Sequence, residues 1–372
     1  MRTPPCPQFG ICGGCTSQDF SHSEQLQKKK SYIAELLNIY EEEITIYSGK
    51  EFSYRTRMDF AVEKQAIGLR MKNSWETVID IPHCKIANEK INIILNELRS
   101  WLPEFGLFDI EDDAKTFKNA VIRATGNDSC ITFIVNKKSP FLKKCEKLVA
   151  RFADSSITHS VIIGYVSPQS GSSISLDYKV VKGRDFLEEK LSGKTFRFHS
   201  QGFFQNNTEM AERMISYVRN IYEKTQNREL LMDIYGGVGS FGISFADLFD
   251  HVQIVESFTP STDFAEKNTE INAVNNAMVW NFDADKLHYL PVDAENIHCI
   301  VDPPRSGMEH KAIKRLLQYN PNSIVYISCN PERFSQELSQ FQHAGYTLKS
   351  TALFDLFPQT DHTELITVLI PN

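Results

Sequence analysis

Leu230-Leu-Met-Asp-Ile-Tyr-Gly-Gly-Val-Gly-Ser-Phe-Gly242 runs from an apolar stretch into a glycine-rich turn and out into a second apolar stretch. The first part reads as a strand buried on both faces, and the glycines as the turn where a parallel strand hands over to its helix. Glycine is needed there because backbone must approach a ligand closely, and the following helix start offers unpaired N–H groups. Outward from this point strands and helices alternate. A helix at 209–222 precedes it; strand 252–255, helix 260–272, strands 278–280 and 297–301, helix 310–319, strand 323–328 and helix 332–341 follow, closing with strands 346–354 and 365–369. This rhythm predicts a doubly wound α/β domain over 196–372, with a mostly parallel sheet covered on both faces.

The preceding segment, 31–195, lacks that rhythm. Alternation at 44–47, 57–62, 121–124 and 130–135 predicts strands, and 87–102 and 140–152 space their apolar residues as helices do, so an α+β domain is expected. Residues 1–30 form a cysteine-rich arm. At 372 residues the chain is long enough for about two cores. Its hydrophobic share of 41% and charged share of 23% are those of a globular protein. No apolar run is long enough to span a bilayer, and Pro4, Pro5 and the cysteines stand where a signal peptide would be apolar. A cytoplasmic address is expected, and with it reduced thiols. The net charge of −7 hides an asymmetry, because nine Lys and Arg against nineteen Asp and Glu lie in 226–372. The other part holds basic groups at Lys28, Lys29 and Lys30, at Arg55 and Arg57, at Arg70 and Lys72, and along 137–151, which could meet phosphates. A solvated helix face explains each group equally well.

Three further motifs fall at strand ends on the side of the sheet where such folds bind ligands. Glu256 ends the strand after the glycine turn, where an acid can hold ribose hydroxyls. The turn, Asp-x-Tyr-Gly-Gly-x-Gly, has neither dinucleotide nor P-loop spacing, which favours S-adenosylmethionine, as does an antiparallel last strand pair. Val301-Asp-Pro-Pro-Arg-Ser-Gly307 aims Asp302 into the same crevice, and its prolines stiffen a wall suited to a flat base. Amino-group methyltransferases follow a related motif with an aromatic residue, whereas Arg305 stands here. Ser328-Cys329-Asn330-Pro331 ends the next strand and begins a helix, whose N-terminus should lower the Cys329 pKa. Asp355-Leu-Phe-Pro-Gln-Thr-Asp-His-Thr-Glu364 supplies ionisable groups before the last strand. A thiolate adding to C6 of uracil makes C5 nucleophilic toward a methyl sulfonium, after which a base must take the C5 proton. Cys329 suits the first task, and Glu364 or His362 the last.

The chain resembles the RNA uracil-5 methyltransferases that modify transfer and ribosomal RNA. Gln201-Gly-Phe-Phe-Gln-Asn-Asn207 matches the family's Phe-x-Gln-x-Asn motif, and Asp-Ile-Tyr-Gly-Gly, Asp-Pro-Pro-Arg, Ser-Cys-Asn-Pro and Phe-Pro-x-Thr-x-His-x-Glu follow in order. The resemblance implies a Rossmann-like class I methyltransferase domain preceded by an RNA-binding domain. It implies cofactor contacts at Gln205, Tyr235, Gly237, Glu256 and Asp302, Cys329 as nucleophile and Glu364 as proton acceptor. Ser240 and Gly236 depart from the family pattern. Ser328-Cys329 also differs from the Pro-Cys pair of cytosine-5 enzymes.

Cys6, Cys12 and Cys15 give C-x5-C-x2-C, and Cys84 in Ile-Pro-His-Cys is the best fourth ligand. Spacing leaves zinc and an iron–sulfur cluster open; the resemblance implies [4Fe–4S]. Cys130, Cys145 and Cys299 sit in apolar settings and read as core. With the cysteine motif starting at residue 6, no room is expected for the N-terminal TRAM barrel of some members. The expectation is a monomer acting on large-subunit (23S) ribosomal RNA, with transfer-RNA uridine 54 as the alternative and Arg55, Arg57 and Arg70 as RNA contacts. A metal-containing RNA-binding protein without catalysis is the reading from another class; Asp302, Cys329 and Glu364 speak against it.

Overall fold

A computed structural model describes residues 2–63, 66–74, 76–101 and 116–372, and in it the strand Leu230–Ile234 is buried at every position. The chain divides into two compact units. One comprises His22–Gly49, Lys190–Phe198 and Phe203–Asn372; the other comprises Met1–Ser21, Lys50–Glu189 and His199–Gly202.

The first unit is built on an eight-stranded sheet. From one edge to the other its strands are Ile44–Tyr47, Tyr346–Phe354, Glu364–Pro371, Ser323–Ser328, Ile297–Val301, Leu230–Ile234, His251–Glu256 and Ala277–Asn281. All pairs are parallel except those of Glu364–Pro371, which runs antiparallel to both neighbours. That reversal brings the start of Glu364–Pro371 to the edge where the parallel strands end: Ser328 pairs with Leu365, and Glu364 with Phe354. One face is covered by Ile33, Ala34 and Leu37 of helix His22–Leu37, Phe334 and Phe341 of helix Pro331–His343, and Leu316 of helix His310–Leu317. Helix Thr208–Glu223 buries Met210, Met214, Val218 and Tyr222, with Tyr222 edge-on to Phe245 and Phe249.

Residues 22–49 depart from the expected partition. The sequence reading divides them between the arm and the α+β domain, yet they supply a core helix and a parallel edge strand of this sheet. Periodicity predicts the strand Ile44–Tyr47 but not its partner, Tyr346–Phe354, some three hundred residues away.

The second unit carries a seven-stranded sheet in the order Val78–Asp80, Ala66–Arg70, Arg57–Glu63, Phe117–Ala124, Ser129–Asn136, Ser160–Val166 and Tyr178–Lys182. Pairing is antiparallel except for Ser129–Asn136 with Ser160–Val166, joined through helix Leu142–Ser155. A βαβ crossover is therefore present where none is expected, because a parallel pair needs a helix-length connection. Helix Glu89–Trp101 buries Ile91, Ile94, Leu95 and Leu98. Phe152 stands edge-on to Phe133 and Trp101, at centroid separations of 5.4 and 5.7 Å. Leu102, the expected end of the helix at 87–102, lies outside the described residues. No helix among the described residues is long and apolar enough to cross a membrane.

Candidate active site and cysteine cavity

The glycine turn owes its shape to Asp233. This fully buried carboxylate accepts the Gly242 N–H at 2.7 Å, tying the end of the strand to the helix Ser240–Phe245. A Cβ on Gly236 would lie 2.7 Å from Ile254 Cγ2 and 3.0 Å from Asp233 Oδ2, so only glycine fits without a shift. Tyr235 takes the left-handed region at φ 62, rare for a residue with a side chain and common where function fixes a backbone. Glu256 Oε2 accepts the Gly237 N–H at 3.1 Å, and its Oε1 accepts Phe258 N–H at 2.7 Å. The acid ending the second strand is thus joined to the turn ending the first, as strands paired at Ile234 and Val255 allow. Gln205 is buried just before Asn207, which caps helix Thr208–Glu223 by accepting from Met210 N–H.

Asp302 follows Val301, which pairs with Ile234 on one side and Tyr326 on the other. Its position next to Tyr235 is set by its own N–H, which donates to Ile234 O at 3.3 Å. Asn330 joins the Asp-Pro-Pro-Arg loop to the cysteine motif: its Nδ2 donates to Arg305 O at 2.9 Å while its Oδ1 caps helix Pro331–His343 through Arg333 N–H. Gly307, at φ +76, lets this loop close against helix Pro331–His343. There the buried Glu337 accepts from Tyr326 OH at 2.6 Å and pairs with Arg333 at 2.9 Å.

Cys329, Asp302, Glu364 and Arg305 act on one another electrostatically. Burial raises Glu364 well above the usual carboxylate range; Asp302 adds to this and Arg305 opposes it. Burial and the carboxylates of Asp233 and Glu256 raise Asp302 as well. Cys329 is pushed up to about 12 by burial, then by Glu364 and Asp302, against the lowering influence of Arg305 and a backbone hydrogen bond. The expected downward shift is therefore corrected: burial and two carboxylates outweigh one exposed guanidinium and a backbone hydrogen bond. His362, the other candidate base, is exposed with its ring 6.2 Å from Phe357, whereas Glu364 is buried at 3% exposure.

In the other unit, Cys6, Cys12, Cys15 and Cys84 line one pocket, together with Gln18, Leu69, Ile81 and His83. Gly13 N–H donates to Arg70 O and Lys72 N–H to Ile11 O, so the cysteine loop is laid along strand Ala66–Arg70. Asn92 fixes Cys84 from within helix Glu89–Trp101: its Oδ1 accepts Cys84 N–H at 2.9 Å and its Nδ2 donates to Cys84 O at 3.1 Å. Cys12 Sγ accepts Gly14 N–H at 3.3 Å. Burial and then mutual charge raise Cys15 to about 12, and burial with neighbouring thiols also raises Cys12 and Cys84. Among the described residues no three His, Cys, Asp or Glu side chains stand close enough together to hold a single metal ion. Tetrahedral Zn–S bonds of about 2.3 Å would need sulfurs about 3.8 Å apart.

Several cations read as phosphate contacts are occupied internally. Arg57 forks onto Asp59 at 2.7 and 2.9 Å, and Arg70 meets Glu63 at 2.8 Å. Lys29 is buried against Asp355 at 2.7 Å, which removes it from the basic surface inferred for Lys28, Lys29 and Lys30. Sequence reading missed Asn330, Glu337 and Asn92. Only Asn330 carried a signal, being a capping residue directly before proline.

A family model described as tRNA (uracil-5-)-methyltransferase matches residues 21–371. A tRNA (uracil(54)-C(5))-methyltransferase of Pyrococcus furiosus is 32% identical over 97% of this chain and 84% of its own length. An uncharacterized RNA methyltransferase of Caldanaerobacter subterraneus is 30% identical over 98% and 84%. The crystal structure of the Pyrococcus abyssi tRNA (uracil-54, C5)-methyltransferase, in complex with S-adenosyl-L-homocysteine, superposes with a TM-score of 0.78 at 26% identity over 96% of this chain and 86% of that one. With its motifs gathered at one edge of a methyltransferase-type sheet, the chain belongs to the tRNA (uracil-5-)-methyltransferase family and is an S-adenosylmethionine-dependent RNA (uracil-5-)-methyltransferase.

Proposed function

We propose that this enzyme methylates C5 of uridine 54 in transfer RNA, with Cys329 as nucleophile and Glu364 as proton acceptor. The observation carrying the catalytic part is the convergence of Cys329, Asp302, Glu364 and Arg305 at one sheet edge. Named relatives that act on tRNA uracil 54 support the target, and for that reason transfer RNA displaces the large-subunit ribosomal RNA expected from sequence. S-adenosylmethionine supplies an electrophilic methyl group when bound, and Gln205, Tyr235, Gly237, Glu256 and Asp302 are the residues assigned to hold it.

The chain's own part begins with transfer of the Cys329 proton to solvent. Its sulfur then bonds to C6, and the ring electrons that this displaces make C5 the nucleophile for the methyl group. The Glu364 carboxylate takes the C5 proton, the C6–S bond breaks, and its electron pair returns to sulfur. Burial raises Glu364 well above the usual carboxylate range and with it the basicity of its carboxylate, which suits an acceptor of a carbon-bound proton.

The unit with the seven-stranded sheet is assigned to RNA binding, and Cys6, Cys12, Cys15 and Cys84 to a [4Fe–4S] cluster, with zinc as the alternative. The shared cavity and the Gly14 N–H on Cys12 sulfur support the cluster. Mass spectrometry of transfer and ribosomal RNA from a deletion strain tests the target. Loss of 5-methyluridine from transfer RNA alone is expected; loss from ribosomal RNA with transfer RNA unchanged would overturn the assignment.

A further inference from the structure

The segment 355–363 joins the last two strands and delivers Glu364, yet most of it is buried. Asp355, Leu356, Gln359, Thr360 and Thr363 are each at most 6% exposed. A buried loop must have its polar groups satisfied from elsewhere. Much of that comes from one face of helix His22–Leu37. His22 Nε2 meets Asp355 Oδ2 at 2.8 Å, and Lys29 Nζ meets Asp355 Oδ1 at 2.7 Å. Gln25 Oε1 accepts Gln359 N–H at 3.0 Å, and its Nε2 donates to Gln359 Oε1 at 3.1 Å. Gln359 holds φ +70, a left-handed conformation for which those bonds compensate. Asn207, the last residue of the Phe-x-Gln-x-Asn motif, donates to Leu356 O at 3.0 Å, and Asp355 N–H donates to Tyr47 O.

Positions 22, 25 and 29 continue through Ile33 and Leu37 at helical spacing. The stripe is polar where it meets the segment and apolar where it enters the core. A helix needing only to pack would have no use for a buried lysine. Glu364 is the first residue of its strand, held by the ladder on one side and by this segment on the other.

We propose that His22, Gln25 and Lys29 are positioning residues for removal of the C5 proton: through Asp355 and Gln359 they hold the segment that sets the Glu364 carboxylate. This rests on Glu364 being the proton acceptor. Misplacing an acceptor by about 1 Å costs on the order of 100-fold, and the step affected comes after the Cys329–C6 bond has formed.

The test uses the full chain and RNA from a strain lacking the enzyme, labelled with tritium at uridine C5. Tritium release reports proton removal, and denaturing gels report the covalent adduct. Lys29→Met is expected to form adduct at the wild-type rate, accumulate it, and release tritium about 10–100-fold more slowly with KM for RNA unchanged. Lys29→Arg should recover much of the rate. Should the lone Asp355 carboxylate prevent folding, Lys29→Met/Asp355→Leu removes both charges and should show the same accumulation. Wild-type tritium release in the folded variants, or equal loss of adduct formation and release, would overturn the proposal. Glu364→Gln separates the two claims. Adduct without release supports the acceptor role, whereas wild-type release removes both that role and the positioning built on it.

Discussion

Alkylation of Cys329 in the RNA-free enzyme should be slow and should keep accelerating with pH. Its thiol is raised from 9.0 to about 12 by burial, Glu364 and Asp302. Three units leave about a thousandth of the thiolate that an unperturbed cysteine has at neutral pH. The more basic sulfur is also more nucleophilic, which returns roughly 15–30-fold, so the net deficit is about 30–70-fold. Iodoacetamide labelling followed by peptide-resolved mass spectrometry, with the urea-unfolded chain as reference, measures it. The logarithm of the rate should climb by about one per pH unit from neutrality to about pH 10 without a plateau. Arg305→Met, which deletes a lowering influence, should slow labelling further. A plateau below about pH 8 in the wild type would refute the reasoning. It would mean that the helix N-terminus and Arg305 outweigh the carboxylates, leaving a resting thiolate.

Other consequences can be checked on the purified protein. Burial raises Asp233 from 3.8 to about 7, with Gly242 N–H opposing and Glu256 adding. The native state therefore keeps a proton that the unfolded chain releases near pH 4. Its stabilising contribution is full below that pH and is lost as pH rises through about 7, an upper figure of about 4 kcal/mol. Asp233→Asn, which keeps an oxygen for Gly242 N–H, should make the urea midpoint fall less steeply across that range, the share of Asp302 remaining; an unchanged slope would assign the effect elsewhere. Gly307→Ala puts a Cβ against Glu337 and Arg333 at φ +76 and should cost about 2–4 kcal/mol in thermal or urea unfolding. Anaerobically purified enzyme should contain iron and acid-labile sulfide, and Cys84→Ser should lose both; zinc with no sulfide would select the alternative metal.

Much of the catalytic sheet could be read along the chain, because its central strands are continuous apolar runs ended by glycine, proline or asparagine. The spacing of Asp302, Cys329 and Glu364 at strand ends was legible for the same reason. Local periodicity does not report partners, so the strand Ile44–Tyr47 was recognisable while its place beside Tyr346–Phe354 was not. Charge was misread in the same way. Lys29 looks like surface in a Lys-Lys-Lys run, and only folding shows it turned onto Asp355.

From sequence come the fold class, the family and the proposed reacting groups, since each depends on residue type and short-range order. The ionisation of those groups depends on what surrounds them in space. Cys329 stands at a helix N-terminus in either view, but only the tertiary structure sets two carboxylates and a desolvating wall against it. Coulomb energy and desolvation follow distance and burial, quantities that a linear spacing does not contain.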